Sequence, residues 1–104
     1  MSAPDGFDEL IHPTTRLSLV ALLAATEWAE FSFAKESLRL SDSALSKQVS
    51  TLEDAGYVEV RKEGAGRRRR TKLRLTQRGR SAFEGHVAAL RRIIEASVVP
   101  EQSA

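Results

Sequence analysis

The chain contains no cysteine, which excludes disulfides, thiolate metal sites and thiol redox sensing and fits a reducing cytoplasm. Only two histidines occur, His12 ahead of a proline and His86 in a late helical stretch. Helix capping or interface packing is the role read for both, and no metal or cofactor is expected. Long hydrophobic runs are missing: the longest, Leu17 to Ala25, is interrupted and far short of a membrane span, and no basic-plus-apolar leader opens the chain. A location in the cytoplasm away from the membrane is therefore expected. No serine, aspartate or histidine stands in a recognisable nucleophile-and-base arrangement, and no phosphate-binding glycine loop is present. Gly64-Ala65-Gly66 is what a tight strand turn needs, so enzymatic activity is not expected.

What remains is an ordinary soluble composition, 41% hydrophobic and 29% charged, over 104 residues, the size of one domain with a modest core. The net charge of +2 conceals an asymmetry. Residues 61–80 hold ten of the sixteen basic residues and a single acid, Glu63, while the rest of the chain is acidic on balance. A mildly acidic body with one intensely basic arm is a directed polyanion footprint, because a merely solvated surface would mix the signs.

The stretch from Ser41 to Val60 organises the pattern. Leu45, Val49 and Leu52 form one apolar stripe at helical spacing, with Ala55 at its edge; Ser41 or Asp42 can cap the start, and Gly56 can supply the left-handed residue that ends a helix. The opposite face carries Ser43, Lys47, Ser50, Thr51 and Asp54. Such short polar side chains suit a helix pressed into a DNA major groove, where hydroxyls reach phosphates and base edges. Upstream, residues 1–7 read as a flexible tail, Asp8 as a cap over Glu9 to Ile11, and His12-Pro13 as the start of a helix running to about Trp28. Its expected inner face is Leu17, Val20, Ala21 and Ala24. A short helix over Phe31 or Ser32 to Leu38 and a tight connection at Arg39–Ser41 complete a helix-turn-helix. For Trp28, Phe31 and Phe33 core packing is the default, with a ligand pocket as the other reading.

After Gly56 the period changes to that of strands. Tyr57–Arg61 and Thr71–Leu75 alternate, the second with Leu73 and Leu75 inward, and Glu63–Arg67 between them makes a hairpin tip. Thr76 then caps a long helix to about Val99, stopped by Pro100. Phe83, Val87, Leu90 and Ile94 recur along it, and Ala82, Ala89 and Ile93 add a second edge; one edge can cover the domain and leave the other for a second copy. The fold class expected is mainly α with a small β-hairpin, an α+β winged helix-turn-helix with a long C-terminal dimerisation helix. Residues 1–104 form one domain, with helix-turn-helix and wing at 8–75 and the dimerisation helix at 76–99.

Four stretches follow one another along the chain: His12-Pro13-x-x-Arg16-Leu17, Leu40-Ser41-Asp42-x-x-Leu45-Ser46, Leu52-Glu53-x-Ala55-Gly56-Tyr57-Val58 and Leu75-Thr76-x-x-Gly79-Arg80. In this order and spacing the sequence resembles the small winged-helix regulators of the MarR and ArsR type, and closest their compact branch of winged-helix DNA-binding domains. The resemblance implies a homodimer joined through terminal helices that reads a two-fold related operator in double-stranded DNA and regulates transcription. It carries DNA contact to Ser43, Ser46, Lys47 and Ser50 on the recognition helix and to Arg67, Arg68, Arg69 and Arg70 on the wing. In two respects the chain departs from the pattern. Metal sensing of the ArsR type uses Cys and His ligands that are missing here, and little sequence is left for the extra terminal helices of larger MarR proteins, so no effector is assigned.

The expectation is thus a sequence-specific dimeric regulator with helix 42–55 in the major groove and wing 61–74 on the minor groove and backbone. Arg61, Lys62, Lys72 and Arg74 would hold flanking phosphates, and Phe83, Val87, Leu90, Ile93 and Ile94 would meet the second copy. The alternative is a sequence-blind nucleic-acid-binding or protein-interaction module on the same fold.

Overall fold

The computed structural model describes residues 3–97. Four helices and a three-stranded antiparallel sheet follow one another as α1 (Thr14–Ala24), β1 (Ala29–Glu30), α2 (Phe31–Leu38), α3 (Asp42–Asp54), β2 (Val58–Glu63), β3 (Arg70–Leu75) and α4 (Gln77–Ser97). One apolar cluster holds them together, with Ile11, Leu19, Leu23, Leu45, Leu52 and Leu73 fully buried at its centre. The architecture is the expected α+β winged helix with a long C-terminal helix. Val99 and Pro100, where the sequence places the end of that helix, lie outside the described residues.

Local chemistry accounts for most of the element boundaries. Ser41 Oγ accepts the Ala44 amide at 3.1 Å and caps α3. At its other end Gly56 takes φ 80°, so the Tyr57 amide reaches the Leu52 carbonyl at 2.9 Å and the chain turns directly into β2. The same six-to-one closure ends α2, where Leu40 N donates to Lys35 O at 3.0 Å, but the left-handed residue is Arg39, at φ 55°. This non-glycine turn is the connection of the helix-turn-helix. Thr76 Oγ1 accepts the Gly79 amide at 3.0 Å and donates to Gly56 O at 2.6 Å, joining the start of α4 to the end of α3.

Three expectations change. First, α1 stops at Ala24, because the Ala25 and Thr26 amides close onto Leu22 O and Leu23 O, each at 3.2 Å. Its buried face is Leu19, Val20 and Leu23, and Ala21 is exposed. Second, the chain released after α1 forms β1, which pairs with β3 at Ala29↔Leu73 and Glu30↔Lys72, so the sheet order is β1-β3-β2 and the hairpin gains a third strand. Third, the described part of the segment read as a tail is seated: Gly6 crosses α4 at Gly85, and the Phe7 ring lies 4.8 Å from both His12 and His86. Glycine at residue 79 is required for another close approach, since a Cβ there would collide with the Tyr57 carbonyl oxygen.

Candidate nucleic-acid interface

On α3 the stripe of Leu45, Val49 and Leu52 is buried, which turns Ser43, Ser46, Lys47 and Ser50 to solvent. Half-buried Gln48 is tied to α1: Arg16 donates through Nη1 to Gln48 Oε1 at 2.9 Å and through Nε to Leu10 O at 2.6 Å. A planar guanidinium with two fixed acceptors sets the angle of α3 on the body. The sequence reading missed this brace, although Arg16 and Gln48 were both visible as polar residues beside apolar stripes.

Pairing in the hairpin runs Val58↔Leu75, Glu59↔Arg74, Val60↔Leu73, Arg61↔Lys72, Lys62↔Thr71 and Glu63↔Arg70. Strand alternation therefore places Glu59, Arg61, Glu63, Arg70, Lys72 and Arg74 on one outward face. There they form an acid–base ladder. Arg74 meets Glu59 at 2.7 Å, Lys72 meets Glu63 at 3.2 Å, Arg61 meets Glu63 at 3.8 Å, and Arg70 meets Glu30 of β1 at 3.4 Å. The Trp28 ring is flanked by two guanidinium groups, with Arg61 4.4 Å and Arg74 4.7 Å from its centroid. Beyond the ladder the tip turns through Gly64 at φ 81° and a 3-10 turn at Gly66–Arg68. Among the described residues, Lys47, Lys62, Arg67, Arg68 and Arg69 make no ion pair. The basic residues predicted as one set thus divide: Arg61, Arg70, Lys72 and Arg74 of the wing root are paired, whereas the tip arginines, Lys62 and Lys47 are not.

Between α3 and the sheet lies an open groove of about 640 Å³, with Ser46, Ser50 and Glu53 on the helix wall, Lys62 and Thr71 on the strand wall, and Phe31 of α2 also in its lining. Hydroxyls and an ammonium group facing one another across such a groove can hold a phosphate backbone. Asp42, also at this groove, is neutralised by Lys35 at 3.0 Å. Trp28 does not line it, and Phe33 is 53% exposed, so the three aromatics considered as a ligand pocket are not brought together.

On α4 the predicted interface residues divide as well. Phe83 packs against the protein's own core, Val87 and Leu90 are half-buried, and Ile93 and Ile94 are exposed. His86, by contrast, is fully buried and stands 3.2 Å from His12, a pairing across the chain that neither residue's surroundings in the sequence suggested. No described helix is long and apolar enough to cross a membrane.

Comparison with known proteins gives a consistent result. The family model described as winged helix DNA-binding domain matches residues 15–94. An uncharacterised protein of Methanocaldococcus jannaschii is 33% identical over 79 residues, covering 76% of this chain and 86% of its own. Among solved structures, a transcriptional regulator homologue from Pyrococcus horikoshii superposes with a TM-score of 0.82 at 24% identity, over 88% of this chain and 91% of that one. A zinc-responsive MarR family member of Lactococcus lactis superposes with a TM-score of 0.64 at 16% identity, over 92% of this chain and 66% of its own longer chain. At these identities the two structures share the fold.

Proposed function

This chain belongs to the winged helix DNA-binding domain family, and from that premise we propose that it is a sequence-specific transcriptional regulator that binds double-stranded DNA as a homodimer. Its family and fold are those of non-enzymatic DNA-binding proteins. In this reading the exposed face of α3 enters the major groove, with Lys47 on a phosphate or base edge and Ser43, Ser46 and Ser50 as hydroxyl contacts. The strand crossing from major to minor groove lies between α3 and the wing, where Lys62 and Thr71 face Ser46 and Ser50. Arg67, Arg68 and Arg69 follow the minor groove. Val87, Leu90, Ile93 and Ile94 of α4 meet their counterparts in a second copy, which sets the two recognition helices about 34 Å apart, one turn of DNA.

The observation that carries the proposal is the groove itself. One wall carries the hydroxyls of Ser46 and Ser50 with the Glu53 carboxylate at its C-terminal end, the other bears Lys62, and among the described residues neither Lys62 nor the three arginines of the wing tip has an acidic partner. Five unpaired basic side chains per protomer, at about 0.9 per phosphate neutralised, correspond to a slope of log K against log salt of about −4.5 per protomer. Because Gln48 is committed to Arg16, α3 offers few bidentate base readers, and DNA shape supplies much of the specificity.

Selection from a random duplex library, followed by anisotropy titration of the winner and a scrambled control, tests the whole reading. An enriched palindrome preferred by at least about 10³ over the scramble is expected. Equal, steeply salt-dependent binding to both would assign the chain to the sequence-blind class. A monomer mass by light scattering at micromolar concentration would remove the α4 interface.

A further inference from the structure

The segment ahead of α1 is fastened to α4 by contacts that converge on a buried imidazole. Arg92 donates to Asp5 O at 2.5 Å, and Gly6 at φ 91° passes so close that a Cβ there would sit 2.8 Å from Gly85 O. The Asp8 amide then donates to His86 Nδ1 at 2.9 Å. On the far side of the ring, His86 Nε2 faces His12 Nδ1 at 3.2 Å. The Asp8 carboxylate is already engaged: Oδ2 accepts from Tyr57 OH at 2.5 Å, and Oδ1 accepts the Leu10 and Ile11 amides at 2.9 and 3.2 Å.

These partners fix where the protons sit. An Nδ1 that accepts from a backbone amide carries no hydrogen, so the His86 proton is on Nε2 and is donated to His12 Nδ1, which places the His12 proton on its own Nε2. Only the doubly neutral pair satisfies every contact. An added proton on the pair sets one N–H against another wherever it goes: at His86 Nδ1 it opposes the Asp8 amide, and at His12 Nδ1 it opposes His86 Nε2–H. If the His86 proton moves from Nε2 to Nδ1 to relieve the second conflict, the first is created.

We propose that Asp5–Asp8 is a pH-sensitive latch, seated on α4 while the His12–His86 pair is neutral and released when the pair takes up a proton. Phe7 closes the site from outside, its ring centroid 4.8 Å from each imidazole, and exposed His12 is the route by which a proton arrives. Among the described residues, Asp8 of the segment itself is the charged group beside the pair; its carboxylate accepts from Tyr57 at the start of the wing, Arg78 of α4 lies 5.9 Å from the Tyr57 ring, and Arg92 of α4 holds the segment at Asp5. Burial first, and the neighbouring His12 second, hold His86 below the ordinary histidine value of 6.5, while the Asp8 charge works in the opposite direction. With the folded value depressed, the unfolded chain binds more protons in this range. The stability of the latch is thus full above pH 6.5 and is lost as pH falls below 6.5 through the folded value. Release uncovers α4 at Gly85, His86 and Arg92, and its consequence for DNA rests on the dimer reading above; the latch itself does not.

Nitrogen NMR of the full chain between pH 8 and pH 5 tests the latch without DNA. At pH 8 both rings are expected as Nε2–H tautomers. His86 should titrate below 6.5, and the Gly6 and Asp8 amide signals should move with the same midpoint. In His86→Asn, whose Oδ1 can take the acceptor position of Nδ1 but not the proton, those amide signals should stay flat; in His12→Ala the His86 midpoint should rise. Protonation of His86 with Gly6 and Asp8 unmoved would overturn the latch, as would unchanged pH-dependent movement of both amides in His86→Asn. If the variant does not fold, co-titration in the unmodified chain decides alone. Anisotropy in the same buffers separates the two readings: release of Gly6 and Asp8 at constant DNA affinity keeps the latch and removes its link to the dimer.

Discussion

The root and the tip of the wing are built from the same residue type and differ in what surrounds it. In the root, Arg61, Lys72 and Arg74 stand on the outward face of the sheet among Glu59, Glu63 and the ring of Trp28, while Arg70 reaches Glu30. In the tip, Arg67, Arg68 and Arg69 are exposed and, among the described residues, have no acidic partner. Exposed pairs contribute only about 0–1 kcal/mol each to stability, so the acids do little to hold the fold. What they do is neutralise charge. A polyanion meeting the root must displace a carboxylate before it gains a guanidinium, whereas at the tip it gains one outright. The lesson is that a run of basic residues is not one binding site, and counting arginines overstates the contacts available.

The largest effect should come from the tip. Replacing Arg67, Arg68 and Arg69 together by Ala is expected to flatten the salt slope by about 2.7 per protomer, which at 0.15 M salt corresponds to roughly a 10²-fold loss of affinity per protomer for any duplex. The thermal midpoint should hold, since no described ion pair or buried contact is lost. Anisotropy across a salt series gives the slope. If replacing Arg61, Lys72 and Arg74 flattens it equally, the division between root and tip fails.

Next in size are two glycines, one under each region. Gly79→Ala drives a Cβ into the Tyr57 carbonyl from which β2 departs, and is expected to cost about 1–3 kcal/mol. Gly66→Ala meets nothing within 4 Å, and only its φ of 58° opposes the change, at roughly 1 kcal/mol. Chemical denaturation of both variants should rank them in that order; a tip that suffers more than the root would mean that the hairpin is anchored from its turn. Trp28→Ala should fall between the two. Losing two guanidinium–ring contacts costs about 1–2 kcal/mol, with the salt slope unchanged because Arg61 and Arg74 keep their glutamates.

The helix-turn-helix was legible because its signals are local. Ser41, the Leu45–Val49–Leu52 stripe and Gly56 place α3 almost to the residue. By contrast, β1 is two residues long, carries no period, and exists because β3 has an open edge for Ala29 and Glu30. The acid–base ladder was within reach: Glu59, Arg61 and Glu63 alternate on one strand as Arg70, Lys72 and Arg74 do on the other, and the hairpin register brings them together. Nothing local could reveal the meeting of His12 with His86, 74 positions apart, or the docking of Gly6 on Gly85, because both depend on where α4 lies against the segment ahead of α1.

The smallest expected effect gives the sharpest comparison. Glu63 serves both Arg61 and Lys72, at 3.8 and 3.2 Å, and no other described acid meets either of them. Glu63→Gln keeps the size and the hydrogen-bonding groups of the side chain but removes its charge, so two root residues acquire the electrostatic condition of the tip. Stability should change by less than about 0.5 kcal/mol, as for most exposed pairs. If pairing is what silences the root, nonspecific duplex affinity should rise and the slope should steepen by up to about 1.8 per protomer, the contribution of two further phosphates. If instead geometry keeps Arg61 and Lys72 from the backbone, the slope will not move, and the tip alone, with Lys47 and Lys62, is the electrostatic footprint. In either case the partner is set by where the charge projects and by what has already neutralised it.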